Sequence, residues 1–202
     1  MTQDTGRSAA MRVAAAAAVC AMVVTGAGVA AAASGGTWGR AREVPGTAAL
    51  NHVYAQVNSV SCASAGNCAA GGFYTDSSVR EQVFVASEVN GTWHTAIEVP
   101  GIAALNRDGG AFVPSMSCAS AGNCSAGGAY LDGSFHDQAF VVSQVNGTWH
   151  TAIEVPGTAA LNKGGSAEIL SVSCASAGKC SAGGDYKNSP ISDQAFVVTE
   201  NP

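Results

Sequence analysis

From residue 47 onward, short runs alternate apolar and polar positions, the period of a half-buried strand. Clusters of Gly, Asn, Asp and Ser break them up. One stretch, Phe112 to Pro156, shows the full pattern. Phe112–Ser117 alternates around Val113 and predicts a first strand. Cys118–Cys124 is a turn of small residues. Ser125–Leu131 predicts a second strand with Gly127-Gly128 inside it. Paired glycines in a strand mark a bulge or the close approach of another backbone. After the turn Asp132-Gly133-Ser134, Gln138–Val145 is the strongest strand run in the chain. Asn146-Gly147 joins it to Thr148–Val155. Asn-Gly between two such runs signals a two-residue type I′ hairpin. Pro156-Gly157 ends the fourth strand, and Thr158–Gly165 is a connector. Outside the N-terminus no window carries a helical period. The pattern therefore predicts an all-β fold of four-stranded antiparallel units.

The unit is written three times. Ser-Val-Ser-Cys-Ala-Ser-Ala-Gly-Asn-Cys at 59–68 returns almost verbatim at 115–124 and 171–180, and Cys62, Cys118 and Cys174 lie 56 residues apart (118−62 and 174−118). Trp38, Trp93 and Trp149 open the matching Thr-Trp phrases. A period of this size indicates a solenoid, propeller or similar array. The units run at about 47–99, 102–155 and 158–202, preceded by a strand at 36–45. The phase is informative. Gly36–Pro45 has the sequence of a fourth strand, and Asp193–Asn201 that of a third. Joined, they would rebuild the hairpin of the last unit, the way ring-shaped repeat folds close an exposed edge.

The first 33 residues read differently. Arg7 and Arg12 precede the apolar run Val13–Val24, and Ala31-Ala32-Ala33 offers a small-residue cleavage site. Together they predict a secretory signal peptide over 1–33, with the start at Met1 or Met11. Thr25, Gly26 and Gly28 interrupt the run, which argues against a retained membrane anchor. Val19 before Cys20 argues against lipidation there. Ser34–Pro202 is long enough for one domain with a real core. The chain carries a net charge of −5 and only 11% charged residues. That balance argues against nucleic acid and anionic membranes as partners, since both need a basic patch.

Export gives the cysteines their meaning. Cys20 leaves with the signal. Cys62/Cys68, Cys118/Cys124 and Cys174/Cys180 form one pair per unit, and even-numbered cysteines at fixed spacing outside the cell read as disulfides. A copied unit carries its own bond, so local pairing is expected. Two thiols with five residues between them and no nearby His make a poor zinc site.

The phrase Ser-Val-Ser-Cys-x5-Cys-x-Ala-Gly-Gly-x-Tyr, complete at Ser59–Tyr74, is followed by Gln-Ala-Phe-Val-Val at Gln138–Val142 and Asn-Gly-Thr-Trp at Asn146–Trp149. These resemble repeats of secreted actinobacterial proteins, which are similar to the blades of β-propellers of the Asp-box and kelch kind. The resemblance covers nearly all of 35–202. It implies a propeller-like arrangement closed by the N- and C-terminal strands. An Asp-box would run Ser-x-Asp-x-Gly-x-Thr-Trp, and the hairpin here is shorter, so no sialidase activity carries over. Propellers have about four to eight blades. Three units close by themselves, or two chains assemble six as a homo-dimer, or the units form a β-trefoil or prism.

Candidate chemistry falls into two classes. Residues in every copy are Trp38, Trp93 and Trp149, Gln82, Gln138 and Gln194, and Glu43, Glu98 and Glu154. The tryptophans pack in the core or between units, or form an aromatic row for sugar rings. The glutamines lock strands or present amides to a ligand. The glutamates cap amides or form surface pairs. Asp76 and Asp132 become Asn188 in the third copy, which argues against a repeated metal site. Residues that break the repeat, where catalysis would sit, are His52, Tyr54, Arg80, Arg107, Asp108, His136, Lys163 and Lys187. No Gly-x-Ser-x-Gly elbow occurs, and no carboxylate pair is marked for glycoside hydrolysis. A sialidase-like site wants clustered arginines, and beyond the signal there are only Arg40, Arg42, Arg80 and Arg107. The sequons at Asn90 and Asn146 are accounted for by the hairpin turns. The expectation is a secreted, non-catalytic module binding a glycan or a protein, without cofactor or metal. A secreted glycosidase-like hydrolase and a structural or assembly protein are the alternatives.

Overall fold

The computed structural model describes residues 36–201. The expected signal peptide and its cleavage site lie outside the described residues. The chain separates into Met1–Arg40 and Ala41–Pro202, and the helices and strands of the described residues lie in the second part. The first unit comprises α1 (Thr47–Leu50), β1 (Ala55–Ser64), β2 (Asn67–Thr75), β3 (Glu81–Val89), β4 (Thr92–Trp93) and β5 (Ile97–Glu98). The second comprises α2 (Ile102–Leu105), β6 (Ala111–Ser120), β7 (Asn123–Leu131), β8 (Asp137–Val145), β9 (Thr148–Trp149) and β10 (Ile153–Glu154). The third comprises α3 (Thr158–Leu161), β11 (Ala167–Ser176), β12 (Lys179–Ser189) and β13 (Ser192–Thr199). The fold is all-β, with three antiparallel sheets, one per unit. No closed barrel or propeller appears among the described residues.

The fourth strand is not continuous. β4 and β5 both pair with β3, and β9 and β10 both pair with β8. Between them the chain leaves the ladder because Ala96 N donates to Pro45 O and Ala152 N to Pro100 O, both at 2.7 Å. The fourth strand thus gives up pairing in its own sheet to hold the Pro-Gly corner of the preceding unit. The connectors begin with one helical turn that the pattern did not show. Thr158 Oγ1 donates to Val155 O at 2.7 Å, and Thr47 Oγ1 to Val44 O at 2.7 Å, which folds the chain back on itself.

The three disulfides form within units, as expected: Cys62–Cys68, Cys118–Cys124 and Cys174–Cys180. They do not span a seven-residue turn. β1 and β2 run on past the cysteines, so Cys62 stands directly opposite Cys68 and the turn shrinks to Ala65-Gly66. The Asn-Gly hairpins are present, with Asn146 at φ 49° and Gly147 at 85°, the pair of positive angles a type I′ turn requires. Gly147 N donates to Gly122 O at 2.8 Å, which ties this tip to the disulfide hairpin beside it.

The paired glycines serve two contacts. A Cβ on Gly72, Gly128 or Gly184 would collide with the carbonyl of Gln56, Phe112 or Glu168 on the paired strand, where the register shifts at a bulge. In the first two units the first glycine of the pair faces the neighbouring sheet. Gly71 lies under Val113 and Met116, and Gly127 under Ile169. The sheets therefore stack face to face through small residues on one side and branched residues on the other. One core cluster joins Val83, Val85, Val113, Met116 and Phe140 across the first two sheets. A second joins Ala139, Ile169 and Val172 across the second and third.

β13 pairs with β12 and with no other strand among the described residues. Gly36–Val44 carries no strand, so the expected closure is not among the pairings observed.

Candidate functional site

The stacking leaves a cleft between each pair of sheets, built from equivalent positions. The cleft between the first two, about 310 Å³, is lined by Ser87, Glu88, His94, Gln144 and Trp149. The cleft between the second and third, about 390 Å³, is lined by Ser125, Ser143, His150, Thr199 and Glu200 over a floor of Val141 and Val172.

One serine decides what each cleft can do. In the first, Ser87 Oγ accepts from Gln144 Nε2 at 2.9 Å and from Trp149 Nε1 at 3.4 Å. Amide and indole occupy both acceptor sites of the hydroxyl. In the second, the equivalent Ser143 Oγ donates to Glu200 Oε1 at 2.8 Å and lies 3.1 Å from Ser125 Oγ. Because the Ser143 proton goes to the carboxylate, Ser125 is the donor in that second contact. Glu200 Oε2 is buried and has no hydrogen-bond partner among the described residues. A buried acceptor left unpaired is costly, and a hydroxyl or amine entering the cleft would satisfy it. His150 lines the same cleft, but its ring makes no hydrogen bond among the described residues. Ser143 is therefore bonded to a carboxylate and not to an imidazole.

The three tryptophans occupy three environments. Trp149 is buried in the first core cluster, Trp93 is half-buried against Phe84 and Ala86, and Trp38 is fully exposed. Gln82 and Gln138 are engaged on both sides. Gln138 Nε2 donates to Asp132 Oδ2 at 3.0 Å, and its Oε1 accepts from Asn162 Nδ2 at 3.1 Å. Gln82 does the same with Asp76 at 3.2 Å and Asn106 at 2.9 Å. Gln194 is exposed. None of the three glutamines lines either cleft.

Asp76 and Asp132 organise turns. Asp132 Oδ1 accepts from Ser134 N at 2.7 Å and His136 N at 3.1 Å. Burial works against the charge, but Gln138, these two amides and the nearby His136 hold the carboxyl below its ordinary range. Among the described residues no three or more His, Cys, Asp or Glu side chains gather as metal ligands would. Glu98 and Glu154 accept the hydroxyls of Tyr74 and Tyr130 at 2.6 Å and 3.2 Å. Burial and the neighbouring carboxylate raise both phenols. Glu43 Oε1 lies 3.4 Å from Thr47 Oγ1, whose proton goes to Val44 O.

Several repeat-breaking residues serve the turns and connectors. Arg80 donates to Arg107 O at 3.1 Å, Asp108 accepts from Phe135 N at 2.9 Å, and His136 lies 3.9 Å from Asp132. His52 contacts Leu50 O at 3.3 Å, and Tyr54 donates to Gln56 Oε1 at 2.6 Å. Lys163 and Lys187 contribute backbone pairs in the same connectors. No nucleophile, base and acid converge there.

Two groups escaped the sequence reading. Glu200 stands where the earlier units carry Glu88 and Gln144. Glu168 stands directly opposite Asp185 on β11 and β12, where the first unit pairs Gln56 with Phe73. Burial, then Asp185, then Asp137, raise the Glu168 carboxyl. Glu168 breaks the repeat, and that was its available signal, whereas Glu200 repeats Glu88 and differs only from Gln144. No family model matches the chain, and no curated protein matches it.

Proposed function

We propose that this is a secreted, non-catalytic binding module whose three sheets act as propeller-like blades, with a saccharide taken up between the second and third. One observation carries the reading: the unpaired Glu200 Oε2 in a cleft bordered by Ser125, Ser143 and Thr199 over an apolar floor. A sugar offers hydroxyl donors for the carboxylate and C–H faces for the valines, the usual division of labour in a small-molecule site. The three disulfides, and the lack of a long apolar helix among the described residues, fit a protein working outside the cell. Titration of an oligosaccharide panel by calorimetry tests this. Binding that weakens at least tenfold in Glu200→Gln and is unchanged in Gln82→Glu supports the cleft. A panel without binders, or binding indifferent to Glu200→Gln, overturns it.

A further inference from the structure

Each internal interface has an inserting side and a receiving side, and the two sides are the same residues in both places. On the inserting side, Val113 and Met116 of β6 press onto Gly71, and Ile169 of β11 onto Gly127. On the receiving side, serines of the first strand reach the amides of the next. Ser59 Oγ accepts from Met116 N at 3.1 Å, and Ser61 Oγ from Cys118 N at 3.0 Å. Ser115 Oγ accepts from Val172 N at 2.9 Å, and Ser117 Oγ from Cys174 N at 3.0 Å. Two interfaces with four matching hydrogen bonds define one docking rule.

The first and third sheets leave opposite halves of that rule unused. On β1, Val57 and Val60 occupy the positions of Val113 and Met116. Val60 is 57% exposed and Met116 only 6%. On the third sheet the receiving serines Ser171 and Ser173 are exposed. Gly183 meets only atoms of its own sheet, and Val197 is 85% exposed where Val85 is 0%. We infer that the third sheet of one chain receives β1 of a second copy. Val57 and Val60 would lie over Gly183, and Ser171 and Ser173 would accept from Val60 N and Cys62 N. The contact is head-to-tail, and two chains used reciprocally make a ring of six sheets. This is independent of which ligand the cleft takes.

The face assignment makes the test specific. Val60→Asp disables only the inserting side and Val197→Asp only the receiving side. Both side chains are exposed within a chain, so folding is spared, and circular dichroism and the absence of any free thiol beyond Cys20 verify it. Light scattering during gel filtration of the full chain is expected to give the mass of two chains. Each variant alone should fall to the mass of one. Mixing the two variants restores one intact interface and should recover the heavier species. A single-chain mass for the unsubstituted protein overturns the inference. So does a mixture that fails to recover, or polymers that grow with concentration, since a head-to-tail contact that does not close makes fibres.

Discussion

The second and third sheets share the phrase Asp-Gln-Ala-Phe-Val-Val, at 137–142 and 193–198, yet the phrase meets two environments. Ala139 and Phe140 are fully buried, whereas Ala195 is exposed and Phe196 only half-buried. The strands pair in the same register, Gly128 with Phe140 and Gly184 with Phe196. Local structure is therefore set by the phrase and burial by the neighbour. Sheet two has a sheet on each face, and sheet three has one covered face. In a repeat array, stability belongs to interfaces as much as to units.

Truncation of the shared phenylalanine breaks this comparison most directly. Phe140→Ala should cost about 3–5 kcal/mol by cavity formation, and Phe196→Ala about 1–2 kcal/mol, because less apolar area leaves water there. Urea unfolding of both variants measures the difference. Equal costs would mean that Phe196, which faces the second sheet, is packed as closely there as Phe140 is in its own core. Removing a disulfide should erase the contrast. The closed loops are equally long in Cys118→Ala/Cys124→Ala and Cys174→Ala/Cys180→Ala, so loop entropy assigns about 2 kcal/mol to each. A much larger loss in the second sheet would show that the neighbouring sheets depend on the staple as well.

The hairpins, the cysteine pairs and the three-fold unit were legible because they are local. A type I′ turn needs only Asn-Gly, and a cross-strand disulfide needs only two cysteines in register. The split fourth strand was not legible. It depends on Ala152 N choosing Pro100 O in the preceding unit, and no periodicity reports a contact between copies. The one-turn helices were hidden by their length, since four residues complete no helical period. The cleft was legible only in retrospect. Glu200 gains its role from Ser143, 57 residues away, and nothing in its own neighbourhood marks it.

A smaller effect separates the turns. Asp132 holds its turn with three accepted hydrogen bonds, and Asn188 at the equivalent place in the third unit has no such role, since β12 runs through it to Ser189. Asp132→Ala should cost about 1–2 kcal/mol, and Asn188→Ala less than about 0.5 kcal/mol. The Asp132 contribution has a sign in pH. Its folded carboxyl titrates below the ordinary value, so the stabilisation is complete above that value and fades as pH falls through the folded one. Thermal unfolding of the protein and of Asp132→Ala should therefore converge in acid. Curves that stay parallel down to strongly acidic pH would remove the charge from the explanation.

The smallest effect has the opposite sign. Glu168 faces Asp185 across β11 and β12 in the third sheet, where Gln56 faces Phe73 in the first. Burial and the two nearby carboxylates raise the Glu168 carboxyl, so the folded state disfavours its charge. An acid raised by folding costs nothing below its unfolded value. The cost grows as pH rises between the unfolded and folded values, then stays constant. Glu168→Gln restores the first unit's residue and removes that cost. Because the site is only half-buried, screening limits the gain to a few tenths of a kcal/mol. The melting temperature of Glu168→Gln should exceed that of the protein at neutral pH, and the two should meet as pH drops below the ordinary carboxylate range. A gain that persists in acid would assign it to packing against Asp185, and a loss at neutral pH would mean that the charge of Glu168 is paired in solution.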